Sequence, residues 1–194
     1  MSVPRIVLGS TSRYRAGLLH RIIDDFGQVA PDVDETPLPD ETPRARAARL
    51  SEAKARAAAS NVGEALVIGS DQVAAFGSTL LRKPGTIEVA REQLHASSGK
   101  HIDFFTGLCV FDSRTGQARS ALDHTRVVFR ELTDAEIDRY LERERPLDCA
   151  GSFKSEALGI TLFGRIESVD PTALVGLPLI TLARLLREAG LALP

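Results

Sequence analysis

The stretch ALVIGSDQVAAF, residues 65–76, is an apolar run that is interrupted in its middle by small and polar residues. A continuous apolar run of this length predicts a buried strand. A carboxylate at Asp71 within such a strand is costly, because an unpaired charge loses its hydration on burial. Asp71 therefore needs a partner or has a chemical role. Taken alone it is explained well by a structural ion pair, for example with Arg15, or by capping of a neighbouring helix.

The pattern along the chain predicts an α/β fold in which helices alternate with strands in the first half and a long hairpin follows. Thr42 and Pro43 predict the start of one helix, and Thr133 with Glu136 forms a capping box for another. Gly116 is expected in the left-handed region at the hairpin turn. The predicted helices cover residues 13–23, 43–60, 87–97 and 133–144 and the segment LITLARLLREAG, and the predicted strands are residues 5–8, the run above, HIDFFTGLCVFD, ARSALDHTRVVFREL and ITLFGRI.

Composition is that of an ordinary globular protein, with 43% hydrophobic and 26% charged residues in a chain of 194. The net charge of −2 gives no reason to expect nucleic-acid binding, although a small anionic ligand is allowed. Cys109 and Cys149 are far apart and the four histidines are scattered, which predicts no disulfide and no zinc site. Because no signal peptide and no run of about 20 apolar residues is visible, we expect a cytoplasmic protein without a membrane span.

The segment IVLGSTSRYRAGLL predicts an anion-binding turn. A strand ends in the turn formed by Gly9, Ser10, Thr11 and Ser12. A helix carrying Arg13 and Arg15 begins immediately afterwards. Free backbone N–H groups and the positive end of a helix dipole favour a bound anion at such a turn.

Charged residues at breaks between elements indicate a nucleoside triphosphate site with a divalent metal. The carboxylates are Glu35 and Asp71, and the cations are Arg15, Lys54, Lys83 and Lys154. Each of them alone is explained as well by a solvated surface charge or a structural pair. Together, two carboxylates without His or Cys suit Mg²⁺ or Mn²⁺, and the cations suit phosphates. The chain has no P-loop, no G-x-G-x-x-G and no G-x-S-x-G motif.

Six segments in order along nearly the whole chain resemble the Maf family of nucleoside triphosphate pyrophosphatases. They are LGSTSRYRAGLL, APDVDETP, VIGSDQV, RKP, SSGKHIDFFTGL and CAGSFKSEALGITLF. The variants SDQ and GSFKSE resemble the branch of that family that acts on 7-methyl-GTP. The resemblance implies one domain over residues 1–194, with a mixed, twisted sheet flanked by helices in two lobes around a central cleft, as in the Maf and inosine triphosphatase-like folds. It also implies hydrolysis between the α and β phosphates with Mg²⁺ or Mn²⁺.

The resemblance also assigns roles to individual residues. Asp71 would accept a proton and, with Glu35, help to hold the metal. The expected substrate-binding residues are Ser10, Ser12, Tyr14, Arg15, Lys54, Gln72, Lys83, Lys154 and Glu156, of which Tyr14, Gln72 and Glu156 would set the base preference. The sequence departs from the family at two positions, because relatives often carry Pro at the position of Arg13 and a second Arg at Ala16. The phosphate contacts are therefore expected to differ, and Arg13 could substitute.

The chemistry of 7-methylguanine supports two of these roles. One carboxylate can accept both the N1 and N2 donors of guanine, which suits Glu156. Methylation at N7 makes the base cationic, and an aromatic face such as Tyr14 attracts a cation. Without the motif, Tyr14 would be interpreted as a partly exposed helix residue and Glu156 as a surface charge.

Two further expectations concern an alternative function and a partner. The alternative function is that of a nucleotide-binding regulator of cell division or septum formation, which would bind the nucleotide in the same pocket without significant turnover. A homodimer formed through the last helix is also allowed by the sequence.

Overall fold

The computed structural model describes residues 4–194. Within this range the chain forms five α-helices, namely α1 (Arg13–Leu19), α2 (Pro43–Ala59), α3 (Ile87–Ser97), α4 (Asp134–Glu144) and α5 (Leu179–Glu188). The strands in the same range are β1 (Ile6–Leu8), β2 (Gly27–Gln28), β3 (Leu66–Phe76), β4 (Thr79–Leu81), β5 (His101–Asp112), β6 (Gln117–Phe129) and β7 (Phe163–Glu167). The predicted α/β class is confirmed.

The strands form a mixed sheet, as the sequence predicts. Their order is β2-β1-β3-β5-β6-β7, with β4 paired to β3. Strand β1 runs parallel to β2 and β3, whereas β4 is antiparallel to β3 and β7 is antiparallel to β6. Gly116 at the β5–β6 hairpin has a φ of 74°, in the left-handed region, as expected for that turn.

Three predicted elements differ from the structure by three residues or more: α1, β7, and β6, which ends at Phe129 and not at Leu132. Helix α1 stops at Leu19, not at Ile23, because the chain then tightens into turns in which Arg21 N–H donates to Leu18 O and Ile22 N–H to Leu19 O. The apolar face continues nevertheless, since Ile22 and Ile23 still pack against the core. In the segment ITLFGRI, the first three residues belong to a 3-10 turn at Leu158–Leu162, and the strand begins only at Phe163.

The capping predictions are confirmed. Thr42 accepts a hydrogen bond from Ala45 N–H at 3.1 Å at the start of α2, where Pro43 is the first helical residue. Thr133 and Glu136 form the capping box of α4. Thr133 N–H donates to the Glu136 carboxylate at 2.8 Å. These local signals fix both helix starts without help from tertiary packing.

The chain divides into two compact units. The first consists of the chain up to Gln72, Phe105–Asp123 and Asp170–Pro194, and the second of Val73–Phe104 and His124–Val169. The core of the first unit is formed by β1 and β3 with the apolar faces of α1 and α5. The second unit contains four phenylalanines in edge-to-face contact, with ring centroids 4.8 to 5.6 Å apart: Phe104, Phe129, Phe153 and Phe163. No helix of residues 4–194 has the length and apolarity to cross a bilayer.

Two glycines allow α2 to lie directly against the sheet of the first unit. A Cβ at Gly69 of β3 would stand 2.2 Å from Ser51 O, and one at Gly107 of β5 would stand 2.1 Å from Ala47 O. Both atoms are backbone carbonyls of α2, which cannot turn away as a flexible side chain could. The contact requires glycine at both positions. Because Asp71 lies two residues after Gly69 on the same strand, the contact also sets the distance between α2 and Asp71.

We expect Gly107→Ala to lower the free energy of unfolding by about 2 kcal/mol or more, because the methyl group would push α2 off the strand. Urea denaturation followed by circular dichroism measures this change. The matched control is Gly17→Ala in α1, where an added Cβ meets nothing within 4 Å. That variant should be neutral or more stable by up to about 1 kcal/mol, since alanine favours a helix. Equal stability of both variants would contradict the close contact.

Candidate functional site

A buried ammonium group lies between the two predicted metal-binding carboxylates. Lys54 Nζ is 2.6 Å from Asp71 Oδ1 and 2.7 Å from Glu35 Oε1. The side chains of Lys54 and Asp71 are only 10% and 9% exposed, whereas that of Glu35 is 55% exposed. Lys54, from α2, is therefore the partner that a carboxylate in this strand requires, in place of Arg15 or a helix cap.

The three elements that carry this cluster differ in regularity. Asp71 lies on β3 and Lys54 on α2, which the glycine contact holds together, while Glu35 lies in the irregular acidic loop before α2. Partial burial raises the pKa of the Glu35 carboxyl, but the hydrogen bond and charge of Lys54, with the charges of Arg46 and Arg15, leave that pKa below its ordinary value. Glu35 is thus held as a carboxylate.

Two arginines of α2 bind the acidic loop, and sequence reasoning missed them. Arg46 donates to the backbone carbonyl of Glu35, and Arg49 donates to Thr36 O at 3.2 Å. Arg49 also binds Glu41 through two hydrogen bonds, of 2.5 and 2.9 Å. A pair of arginines spaced by three residues, directly after a loop rich in acids, is the signal in the sequence that indicates this contact.

Arg15 is oriented by two acceptors within the first unit. Its Nε donates to Gly176 O at 3.0 Å and its Nη1 to Ser10 Oγ at 3.3 Å. Burial lowers the pKa of the Arg15 guanidinium, and the negative charges of Asp71 and Glu35 oppose that shift. Ser10 also accepts from Ser12 N–H at 3.1 Å, and Ser12 caps α1 by accepting from Arg15 N–H. The predicted serine turn and Arg15 therefore form one hydrogen-bonded group.

Gln72 uses its amide nitrogen within the protein. Gln72 Nε2 donates to Ala173 O at 2.9 Å and Leu174 O at 3.0 Å, and lies 3.1 Å from Thr106 Oγ1. Ser70 donates to Gly107 O and Gly176 O, each at 2.9 Å. These bonds attach β3 to the turn at Ala173–Val175 beside Arg15.

The aromatic ring of Tyr14 already faces a cation. The guanidinium carbon of Arg13 is 4.9 Å from the centroid of the Tyr14 ring, and Arg13 Nη2 donates to the Tyr14 hydroxyl at 3.0 Å. The ring thus already makes with Arg13 the kind of cation–π contact that a methylated purine would make.

Three predicted site residues belong to the second unit. Lys83 is exposed in the segment between β4 and α3. Lys154 binds Glu144, with Nζ 3.3 Å from the carboxylate and 3.4 Å from the backbone carbonyl. Glu156 is exposed and accepts a hydrogen bond from Ser155 at 3.3 Å. The other eight predicted residues, Ser10, Ser12, Tyr14, Arg15, Glu35, Lys54, Asp71 and Gln72, belong to the first unit.

The donor set of the first unit fits a hard divalent cation that is completed by its ligand. Among residues 4–194 there is no group of three or more His, Cys, Asp or Glu side chains that could hold a metal ion by itself. Glu35 and Asp71 provide oxygen donors only, and both contact the same ammonium nitrogen. Mg²⁺ is typically bound by one or two carboxylates together with substrate phosphates, so this pair suits it.

Comparison with known proteins gives one consistent result. The Maf-like protein family matches residues 5–189. A 7-methyl-GTP pyrophosphatase of Burkholderia thailandensis is 57% identical over 192 residues, which cover 97% of this chain and 89% of that protein. A 7-methyl-GTP pyrophosphatase of Aromatoleum aromaticum is 55% identical over the full length of both chains. One of Nitrosococcus oceani is 52% identical, covering 96% of this chain and 94% of that protein.

The Glu41–Arg49 pair predicts a pH dependence of stability. The pKa of the Glu41 carboxyl is lowered to about 2, mainly by the hydrogen bond from Arg49. Burial raises this pKa, whereas the hydrogen bond from Leu38 N–H and the charges of Arg49 and Arg46 lower it further. The unfolded chain takes up this proton near the ordinary value of 4.5, so the pair adds stability above pH 4.5 that is lost as pH falls towards 2. We expect Glu41→Gln to flatten the rise of the unfolding free energy over this range, measured by urea denaturation at a series of pH values.

Arg49→Met is the matched variant, because it removes the partner and leaves the carboxyl. It should flatten the same part of the curve. A slope that stays as steep in both variants as in the wild type would contradict the assignment.

Proposed function

Since this chain belongs to the Maf family, we propose that it is a nucleotide pyrophosphatase that hydrolyses 7-methyl-GTP to 7-methyl-GMP and pyrophosphate. Relatives more than half identical over nearly the whole chain carry that activity in their names. The observation on the structure that best supports the proposal is the cluster of Lys54, Asp71 and Glu35. Its carboxylates and cation are the groups that attack on a phosphate requires.

We propose Asp71 as the general base. Lys54 binds one of its two carboxylate oxygens, Oδ1, so that the second oxygen serves to accept a proton from a water molecule. The water oxygen forms a bond to the α-phosphorus, and the bond from that phosphorus to the bridging oxygen of pyrophosphate breaks. Asp71 takes the proton, and pyrophosphate leaves with the bond electrons.

The cations would stabilise the negative charge of the triphosphate. Arg15 keeps a fixed orientation through Gly176 O and Ser10, so a phosphate contact would require little loss of side-chain freedom. Lys54 lies against the proposed base, and Lys83 is an exposed cation of the second unit. Ser10 and Ser12 belong to the turn that Arg15 contacts.

Glu35, together with the Asp71 oxygen that does not take the proton, would hold a divalent metal, Mg²⁺ or Mn²⁺. When bound, such an ion supplies positive charge that stabilises the transition state and the leaving pyrophosphate. Glu35 contributes a half-exposed carboxylate on a loop that Arg46 and Arg49 fix to α2.

The base would be recognised by Glu156 and Tyr14. A carboxylate at Glu156 accepts from both N1 and N2 of guanine, whereas uracil and thymine offer one donor. A cationic 7-methylguanine would gain further from the face of Tyr14, by about 0.5 to 2 kcal/mol. Gln72, adjacent to Asp71, would contribute to base preference through its remaining amide oxygen.

Asp71→Asn should lower kcat for 7-methyl-GTP by about 10²- to 10⁴-fold, since a positioned general base contributes about that factor. Pyrophosphate release with added Mg²⁺ or Mn²⁺, with and without a chelator, is the measurement. Asp112→Asn is the matched control, because Asp112 is also a buried aspartate of the first unit and is paired with Arg114 at 2.8 Å.

An unchanged kcat in Asp71→Asn would reject the role of Asp71. A wild-type protein that binds 7-methyl-GTP but releases no pyrophosphate with either metal would reject the enzyme itself and favour a binding role.

Glu156→Ala should weaken hydrolysis of 7-methyl-GTP and GTP by at least about tenfold in kcat/KM and leave UTP and dTTP within a few-fold, because the charged acceptor for two guanine donors is lost. The four substrates are compared side by side. Glu142→Ala, which removes another exposed glutamate of the second unit, serves as the control. Equal losses on all four triphosphates would remove Glu156 from base recognition.

A further inference from the structure

One carboxylate at the end of α4 binds both ends of the loop that carries Glu156. Glu144 Oε1 is 3.3 Å from Lys154 Nζ, two residues before Glu156. Glu144 Oε2 accepts a hydrogen bond of 3.1 Å from Leu158 N–H, two residues after it. A single side chain thus connects the two flanks of a five-residue loop to a helix of the same unit.

This contact is sheltered from solvent. The side chains of Glu144 and Lys154 are 16% and 17% exposed, so their attraction is screened less than that of a surface pair. Lys154 Nζ also donates to the backbone carbonyl of Glu144 at 3.4 Å, and Lys154 N–H donates to the hydroxyl of Tyr140 at 3.2 Å. The start of the loop is therefore held at the last turn of α4 by its backbone and by its side chain.

The loop is also closed on itself. Ala157 N–H donates to Lys154 O at 3.3 Å, and a Cβ at Gly159 would lie 2.4 Å from the same carbonyl oxygen. Glu156 itself is exposed, and its carboxylate accepts a bond from the adjacent Ser155. Its position therefore depends on the backbone around it, which Glu144 fixes from both sides.

We propose that Glu144 is a positioning residue for base selection: it fixes the loop Lys154–Leu158 so that the Glu156 carboxylate is presented to the N1 and N2 donors of 7-methylguanine. The inference rests on the proposed function and assigns a role to a residue outside the six segments that identify the family. Glu144 acts through the loop and touches no reacting atom. Its loss therefore changes the preference among bases and leaves the phosphate chemistry intact.

The test compares kcat/KM for 7-methyl-GTP with kcat/KM for UTP in a graded series of variants. Glu144→Gln keeps an acceptor for Leu158 N–H but loses the ion pair with Lys154, and it should lower the ratio about three- to tenfold. Glu144→Met has a similar length and loses both bonds, so it should lower the ratio by more than about tenfold. In both variants kcat/KM for UTP should stay within about twofold of the wild type, since that substrate offers Glu156 little to bind.

Lys154→Met completes the cycle. It breaks the same ion pair from the other side, so it should lower the ratio of the two kcat/KM values as much as Glu144→Gln does, and the ratio in the double variant should be no lower than in either single one. Because Lys154 is itself an expected substrate-binding residue, only this ratio, and not kcat/KM for UTP alone, is compared for this variant. This arm also keeps the test valid if Glu144→Met fails to fold. The matched control is Glu142→Gln on the same helix, which makes the same change of charge at an exposed position and should leave the ratio unchanged.

Three results would overturn the inference while the proposed function stands: an unchanged ratio in Glu144→Gln, equal losses on both substrates, or losses that add in the double variant. A wild-type protein that releases no pyrophosphate from 7-methyl-GTP would instead overturn the proposed function, and this inference with it.

Discussion

The candidate site depends on the pairing of a carboxylate in a buried strand with a lysine from the helix that covers it. Asp71 would be strongly unfavourable in β3 without a cation, because removing one member of a buried pair costs several kcal/mol. Lys54 reaches it at 2.6 Å because Gly69 and Gly107 let the backbone of α2 approach the strands. The two glycines and the charge pair therefore act together. The close packing places the Lys54 ammonium beside Asp71, and the ammonium lowers the free-energy cost of burying that carboxylate.

The local elements of the fold could be predicted because their signals are local. Thr42 and Pro43 begin α2, the capping box begins α4, and Gly116 closes the hairpin, each by a contact within four residues. The errors occurred where the chain forms a local turn that the apolar pattern does not indicate. The residues of ITLFGRI alternate poorly for a strand, and the buried Leu162 with the exposed Ile160 belongs to a 3-10 turn instead. The expected cleft between two lobes stays a prediction.

Of the residues expected at the candidate site, the structure brings Glu35, Lys54 and Asp71 into contact, but the sequence did not predict these contacts. The sequence shows that Asp71 needs a partner, and it suggests Arg15, whereas Lys54 is explained there by a surface role. An alanine-rich helix gives no sign that its single lysine is buried, since burial here comes from glycines on strands distant in sequence. Arg46, Arg49 and Glu144 were missed for a related reason. Each binds a backbone group of a loop, and although arginines after an acidic loop indicate a contact with it, the residue types do not show which backbone acceptor or donor is bound.

The shared ammonium also explains how two carboxylates lie beside each other in one cluster. Lys54 contacts one oxygen of Asp71 and one of Glu35, so its charge reduces their repulsion while the second oxygen of each carboxylate has no bond from Lys54. The burial of Asp71 and Lys54 keeps water from screening this attraction, while the exposure of Glu35 leaves one side of the cluster open. One ammonium shared by two carboxylates, with one side of the cluster open, is the arrangement on which the proposed binding of a metal-bound triphosphate rests.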